Sequence, residues 1–125
     1  MDLNECTGII VDSAVKVHWI LGPGLLESTY HTCLLHELRK RKLEVLSQLP
    51  LAIHYDGIEI EAGYRIDMLV NGEVVVELKS VNQLLPVHEA QLISYMRLSK
   101  KRVGLLINFN VVKLKDGIRR KVNGL

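Results

Sequence analysis

The chain is poor in several features that would settle its class at once. No apolar run approaches the length of a membrane span. The first twenty residues contain Asp2, Glu5, Asp12 and Lys16, so they do not form a signal-peptide core. With no export signal, the expected compartment is a reducing cytoplasm, with no membrane partner. The two cysteines, Cys6 and Cys33, lack CxxC spacing, and buried or half-buried free thiols are expected. The five histidines form no metal motif, because His36-Glu37 opens like a zincin helix but position 40 is Lys. Low-complexity segments, repeats and linkers are absent too. The 125 residues are therefore expected to form one domain, 1–125.

Net charge is only +2 and excludes little, but its distribution is uneven. Arg39, Lys40, Arg41 and Lys42 form one basic run. From Arg97 to Lys121 there are nine basic residues, Lys100, Lys101 and Arg102 among them, against the single acid Asp116. Such a C-terminal quarter either binds a phosphate backbone or is simply a solvated surface.

Apolar spacing at Ile9, Ile10, Ala14, Val17 and Leu21 predicts an amphipathic helix over 2–20, stopped by Gly22-Pro23-Gly24. A second helix is expected over about 27–42. Strand character begins near Glu44. Leu51, Ile53 and Tyr55 alternate, Asp56-Gly57 turns, and Ile58, Ile60 and Ala62 alternate back, so that one face is wholly apolar. Residues 64–70 and 73–79 form the next hairpin. Pro86 opens a helix to about Lys100, with Ala90, Ile93 and Met96 along one stripe. Residues 103–109 read as a buried strand, and 111–114 with 118–122 as an edge hairpin. The order is α-α-β-β-β-β-α-β-β, an α/β fold with a mixed sheet flanked by helices.

The stretch Asp67-Met68-Leu69-Val70-Asn71-Gly72-Glu73-Val74-Val75-Val76-Glu77-Leu78-Lys79 is the most informative. A two-residue turn at Asn71-Gly72 would put Asp67 and Glu77 on opposite faces. A three-residue loop, with Gly72 left-handed and a bulge, shifts the parity by one. Arg65, Asp67, Leu69, Glu73, Val75, Glu77 and Lys79 then share one face. Tyr64, Ile66, Met68, Val70, Val74, Val76 and Leu78 share the other, which is apolar. Burial favours the second register, since a one-residue slip mixes charges into the core. Asp67 and Glu77 supply hard oxygens suited to Mg²⁺ or Mn²⁺. The carbonyl of Leu78 lies between Glu77 and Lys79 as a further candidate ligand, and Lys79 could hold an attacking water or offset transition-state charge. The bland alternative is an ion-pair cluster on a solvated sheet face.

Gly24-Leu25-Leu26-Glu27-Ser28-Thr29-Tyr30 fits Gly-x-x-Glu-x-x-Tyr. His88-Glu89-Ala90-Gln91-Leu92-Ile93-Ser94-Tyr95 and Leu105-Leu106-Ile107-Asn108-Phe109 follow the Asp-Glu-x-Lys core in order. On these motifs the chain resembles the small bacterial GxxExxY family of the PD-(D/E)XK nuclease superfamily, over roughly residues 5 to 122. The resemblance implies a restriction-endonuclease-like core and a metal-dependent nuclease acting on nucleic acid, with DNA favoured. It implies that Glu27, Asp67 and Glu77 hold the metal and that Lys79 assists the water. Gln91 and Tyr95, one turn apart, would orient Lys79 or contact the nucleic-acid backbone. Tyr30, Tyr95 and Glu27 also have structural readings, as core tyrosines and a helix-end acid, and His88 as a helix-start residue. The residue before Asp67 is Ile66 rather than the proline that names the superfamily, a departure that related nucleases tolerate. The alternative function is a nuclease fold that binds nucleic acid or protein without cutting, and a homodimer or a larger partner is open.

Overall fold

The computed structural model describes residues 1–124. Helix α1 spans Leu3–Leu21 and α2 Glu27–Lys40. Five strands follow: β1 Val45–Pro50, β2 Ile53–Tyr55, β3 Ile58–Ile60, β4 Arg65–Val70 and β5 Val74–Lys79. Helix α3, Pro86–Ser99, leads to β6, Val103–Asn108, and a 3₁₀ turn at Leu114–Gly117 leads to β7, Ile118–Val122. The main sheet has the order β1-β4-β5-β6-β7, with β5 and β6 parallel and every other pair antiparallel. It is the expected mixed sheet flanked by helices.

Local chemistry sets the boundaries. The Asp2 carboxylate caps α1 by accepting from the Glu5 N–H at 2.7 Å. Gly22, with φ of 71°, ends that helix. Helices α1 and α2 cover one face of the sheet through Ile10, Ala14, Tyr30, Leu34 and Leu38, which meet Met68, Val76, Leu105 and Ile107. Helix α3 covers the other face, where Leu92 and Met96 meet Val75 and Leu106. The α3 packing is close: a Cβ on Gly104 would stand 2.6 Å from the Met96 sulfur. Helices α1 and α2 are also bolted together by buried Glu37, whose carboxylate meets Lys16 at 2.9 Å, Arg41 at 3.3 Å and Lys40 at 3.6 Å. The Lys16 hydrogen bond chiefly holds the Glu37 carboxyl below its ordinary range.

Four details depart from the sequence-based expectation. The strand beginning near Glu44 divides into β1 and β2, and β2 pairs with β3 as a separate two-stranded sheet. Its register is the expected one, Ile53↔Ile60 and Tyr55↔Ile58, but its apolar face is largely exposed. Residues 111–114 form no strand, because the His18 ring nitrogen takes the Val111 carbonyl at 2.7 Å and β7 pairs directly with β6. The buried stripe of α3 is Leu92, Tyr95 and Met96, rotated from the predicted one, and Ala90 is exposed. Finally, Ile66 packs with the α3-side cluster while Met68 and Val70 face α1 and α2. Strand β4 thus changes its alternation at Asp67.

Cys6 is buried and Cys33 half-buried, both free, and burial pushes the Cys6 thiol up. No helix of the described residues is long and apolar enough to cross a membrane.

Candidate active site

The site is built where a ladder stops. Asn71 and Gly72 both adopt positive φ, 52° and 66°, and the loop holds three residues, so Val70 pairs with Val74. The pairing continues through Leu69↔Val75 and Met68↔Val76 and ends there. At the next step the carboxylates replace the ladder. The Asp67 N–H donates to Glu77 Oε2 at 2.7 Å, and the Leu78 N–H donates to Asp67 Oδ2 at 2.7 Å. Each acid satisfies a backbone donor on the opposite strand, which burial would otherwise leave unpaired at about 1–3 kcal/mol. The three-residue register therefore holds, and it brings Asp67 and Glu77 together.

Their electrostatics are costly. Glu77 is 5% exposed, and its carboxyl is pushed up to about 8, first by burial and then by the Asp67 charge. Burial also raises Asp67, opposed by the Leu78 hydrogen bond and the charges of His31 and Lys79. Glu27 is raised by lost hydration at its carboxyl and by Asp67, although the residue as a whole is exposed. Among the described residues, no Lys, Arg or His forms an ion pair with any of the three.

Glu27 is delivered by the first turn of α2, and the preceding loop is fixed by its own motif. The Tyr30 hydroxyl donates to the Gly22 carbonyl at 2.6 Å and accepts from the Leu25 N–H at 3.1 Å. Its fully buried ring stacks on Phe109, centroids 4.5 Å apart. Ser80, just beyond Lys79, donates to the Leu25 carbonyl at 2.6 Å. The tyrosine of Gly-x-x-Glu-x-x-Tyr is thus a strut that aims the glutamate. On the sheet's other side, the Lys79 ammonium reaches Gln91 Oε1 at 3.5 Å, and Gln91 Nε2 reaches the Tyr95 hydroxyl at 3.3 Å. The Tyr95 ring is set edge-on to Tyr64, centroids 6.4 Å apart. Buried Asn108 holds the loop after β5 through both the N–H and the carbonyl of Val81, at 3.1 and 3.0 Å.

Lys100, Lys101 and Arg102 are not brought to this site. They surround Leu3, Gly72 and Glu73 at the opposite end of the sheet, where Val74 pairs with Val103. Five residue steps of strand separate Val74 from Lys79, about 16 Å. His88 is a helix-start residue, its Nδ1 accepting from the Leu85 N–H at 2.9 Å. Sequence reasoning missed His31 and Ser47, whose side chains meet at 2.8 Å beside Asp67. The four-residue spacing from Glu27 to His31 was the available signal.

All the candidate metal donors are oxygens. Among the described residues, no three His, Cys, Asp or Glu side chains form a ready metal cage. Asp67 and Glu77 each spend one oxygen on a backbone N–H and keep the other. That donor set fits a hard divalent cation.

The family comparison agrees with this architecture. The PD-(D/E)XK nuclease superfamily matches residues 4–121, and the chain belongs to that superfamily. No curated protein and no solved structure matches it.

Proposed function

We propose that the protein is a metal-dependent nuclease that hydrolyses phosphodiester bonds, with DNA as the favoured substrate. The observation that carries this reading is the pair of acids, buried Glu77 and half-buried Asp67, closing the broken ladder with no cationic side chain among the described residues paired to them. Buried acids without a counter-charge are unstable as anions unless a cation joins them. Asp67, Glu77 and the Leu78 carbonyl would hold Mg²⁺ or Mn²⁺, with Glu27 and water completing the set. A divalent ion held by these residues would supply a water of lowered pKa and offset charge on the phosphoryl oxygens.

The remaining roles belong to side chains. Lys79 orients the attacking water and offsets charge that develops in the transition state. Gln91 fixes the Lys79 ammonium, and the Tyr95 hydroxyl fixes Gln91. Tyr95 is largely buried, which suits it to holding Gln91. Lys100, Lys101 and Arg102 contribute a second, distant contact to a long substrate, and that share of the affinity must fall steeply with salt. The resemblance to the GxxExxY family supports the same assignment of Glu27.

The test is cleavage of linear, supercoiled and single-stranded DNA and of RNA, with Mg²⁺, Mn²⁺ or chelator. Cutting that requires the metal and disappears in Asp67→Ala supports the reading. Absence of cutting on every substrate, with binding retained, favours the non-cutting nucleic-acid-binding module.

A further inference from the structure

His31 bears on Asp67 and has no part in the chemistry assigned to Lys79, Gln91 and Tyr95. It lies one helical turn beyond Glu27, so the two side chains leave α2 on the same face. It is half-buried, and its Nε2 stands 2.8 Å from Ser47 Oγ on β1. Its charge is felt at the Asp67 carboxyl. The ring is thus held between α2 and β1, on the side of the broken ladder away from Lys79, Gln91 and Tyr95.

The charge balance gives this placement a purpose. Three carboxyl groups, Glu27, Asp67 and Glu77, gather around one lysine, and a nucleic acid brings negative charge to the same place. Lys79 with Gln91 answers that charge on the α3 side. On the α2 side, the imidazole that Ser47 holds is the group set toward Asp67. Ser47 suits such a role, because a hydroxyl both donates and accepts. It can donate to Nε2 of a neutral ring, which leaves Nδ1–H as a donor, or accept from a protonated one. When Ser47 donates, or when the ring is protonated, Nδ1 carries a hydrogen for an incoming anion, and no hydrogen bond to Nδ1 is present among the described residues.

We propose that His31 is a substrate-binding residue, whose Nδ1–H donates to a phosphate oxygen of the bound strand on the β1 side of the scissile bond, with Ser47 as its positioning residue. The proposal rests on the nuclease reading. It separates from that reading because it assigns His31 to substrate affinity and not to the metal. A hydrogen bond to a charged phosphate oxygen is stronger than one between neutral groups.

The experiment compares wild type, His31→Ala, His31→Gln and Ser47→Ala. Each is assayed on a fluorescein-labelled 20-nucleotide DNA, single- and double-stranded, and on the RNA of the same sequence. Steady-state cleavage in Mn²⁺, calorimetric Mn²⁺ titration without nucleic acid, and thermal melting are measured on every variant. The expected result for His31→Ala is a KM raised about tenfold or more, with a smaller change in kcat. Its Mn²⁺ affinity and melting temperature stay at the wild-type values. His31→Gln, which keeps an N–H donor, recovers part of the loss, and Ser47→Ala shows a smaller rise in KM. An unchanged KM in His31→Ala overturns the proposal while leaving the nuclease reading intact. Loss of Mn²⁺ affinity in His31→Ala overturns it too, since the ring would then be a metal ligand. A lowered melting temperature with unchanged KM reduces the pair to a helix–strand tie. If wild type cuts none of the probes, the nuclease reading falls and this proposal with it.

Discussion

The two halves of strand β5 are built on opposite principles. Val74, Val75 and Val76 are fully buried, paired with β4 on one side and β6 on the other, and contribute only apolar surface. One residue further, the β4 pairing stops while the β6 pairing goes on: the Glu77 carboxyl accepts from the Asp67 N–H, the Leu78 N–H donates to the Asp67 carboxylate, and the Lys79 ammonium meets Gln91 of α3. The first half is where the fold gains stability. The second half places a carboxyl raised to about 8 in the same sheet and relies on hydrogen bonds to hold it. Rigidity and reactivity are therefore adjacent, and the rigid half fixes the geometry of the costly one.

The sharpest way to separate the halves is Lys79→Ala. Cleavage should fall by roughly 10²-fold or more, while Mn²⁺ binding and melting stay near wild type. Unchanged rates would remove Lys79 from the chemistry. Met68→Ala should do the reverse, because Met68 is fully buried and paired with Val76 in the zipped half. A loss of about 2–5 kcal/mol in urea unfolding is expected, with activity per folded molecule retained in the cold. A cost under about 1 kcal/mol would show that this half is not a tight core.

A third break uses pH. The metal-free folded protein keeps a proton on Glu77 up to about pH 8, whereas the unfolded chain releases it near the ordinary value of 4.5. Stability should therefore fall as pH rises between those limits, by as much as a few kcal/mol in total. Glu77→Gln should flatten most of that fall. Urea midpoints at pH 5 and pH 8, in chelator, check both statements. A wild-type midpoint that does not fall would mean that Glu77 is better solvated than its burial implies. The smallest effect is expected from Tyr30→Phe, which removes the bonds to Gly22 and Leu25. It should cost about 1 kcal/mol and lower cleavage modestly by loosening the loop that aims Glu27. Full activity in that variant would make Tyr30 a core residue only.

Much of this contrast was legible in the residues. The parity argument at Asn71-Gly72 favoured the three-residue loop, because that register sets Glu77 opposite Asp67 and puts Val74 and Val76 on the apolar face. What could not be read was the broken ladder. Alternation treats β4 as a regular strand and assigns Ile66 to the face of Met68, but the carboxylates at Asp67 and Glu77 interrupt the pairing and Ile66 joins the other core. The basic stretch 100–102 was legible as charge but not as place. Its position follows from the parallel pairing of β5 and β6, which sends the end of α3 to the far side of the sheet. His31 was hidden for another reason. It belongs to no metal spacing, and its role depends on Ser47, sixteen residues away.

The most direct measurement is calorimetric titration of Mn²⁺ into the metal-free protein at pH 6 and pH 8, on wild type and Asp67→Ala. If Asp67 and Glu77 form a cation site, wild type binds Mn²⁺, releases protons on binding, and binds more tightly at pH 8, where less proton must be displaced from Glu77. Asp67→Ala, still folded by melting, binds little or none. Equal binding by wild type and Asp67→Ala, or none by either at both pH values, would contradict the assignment of this broken ladder as the metal centre.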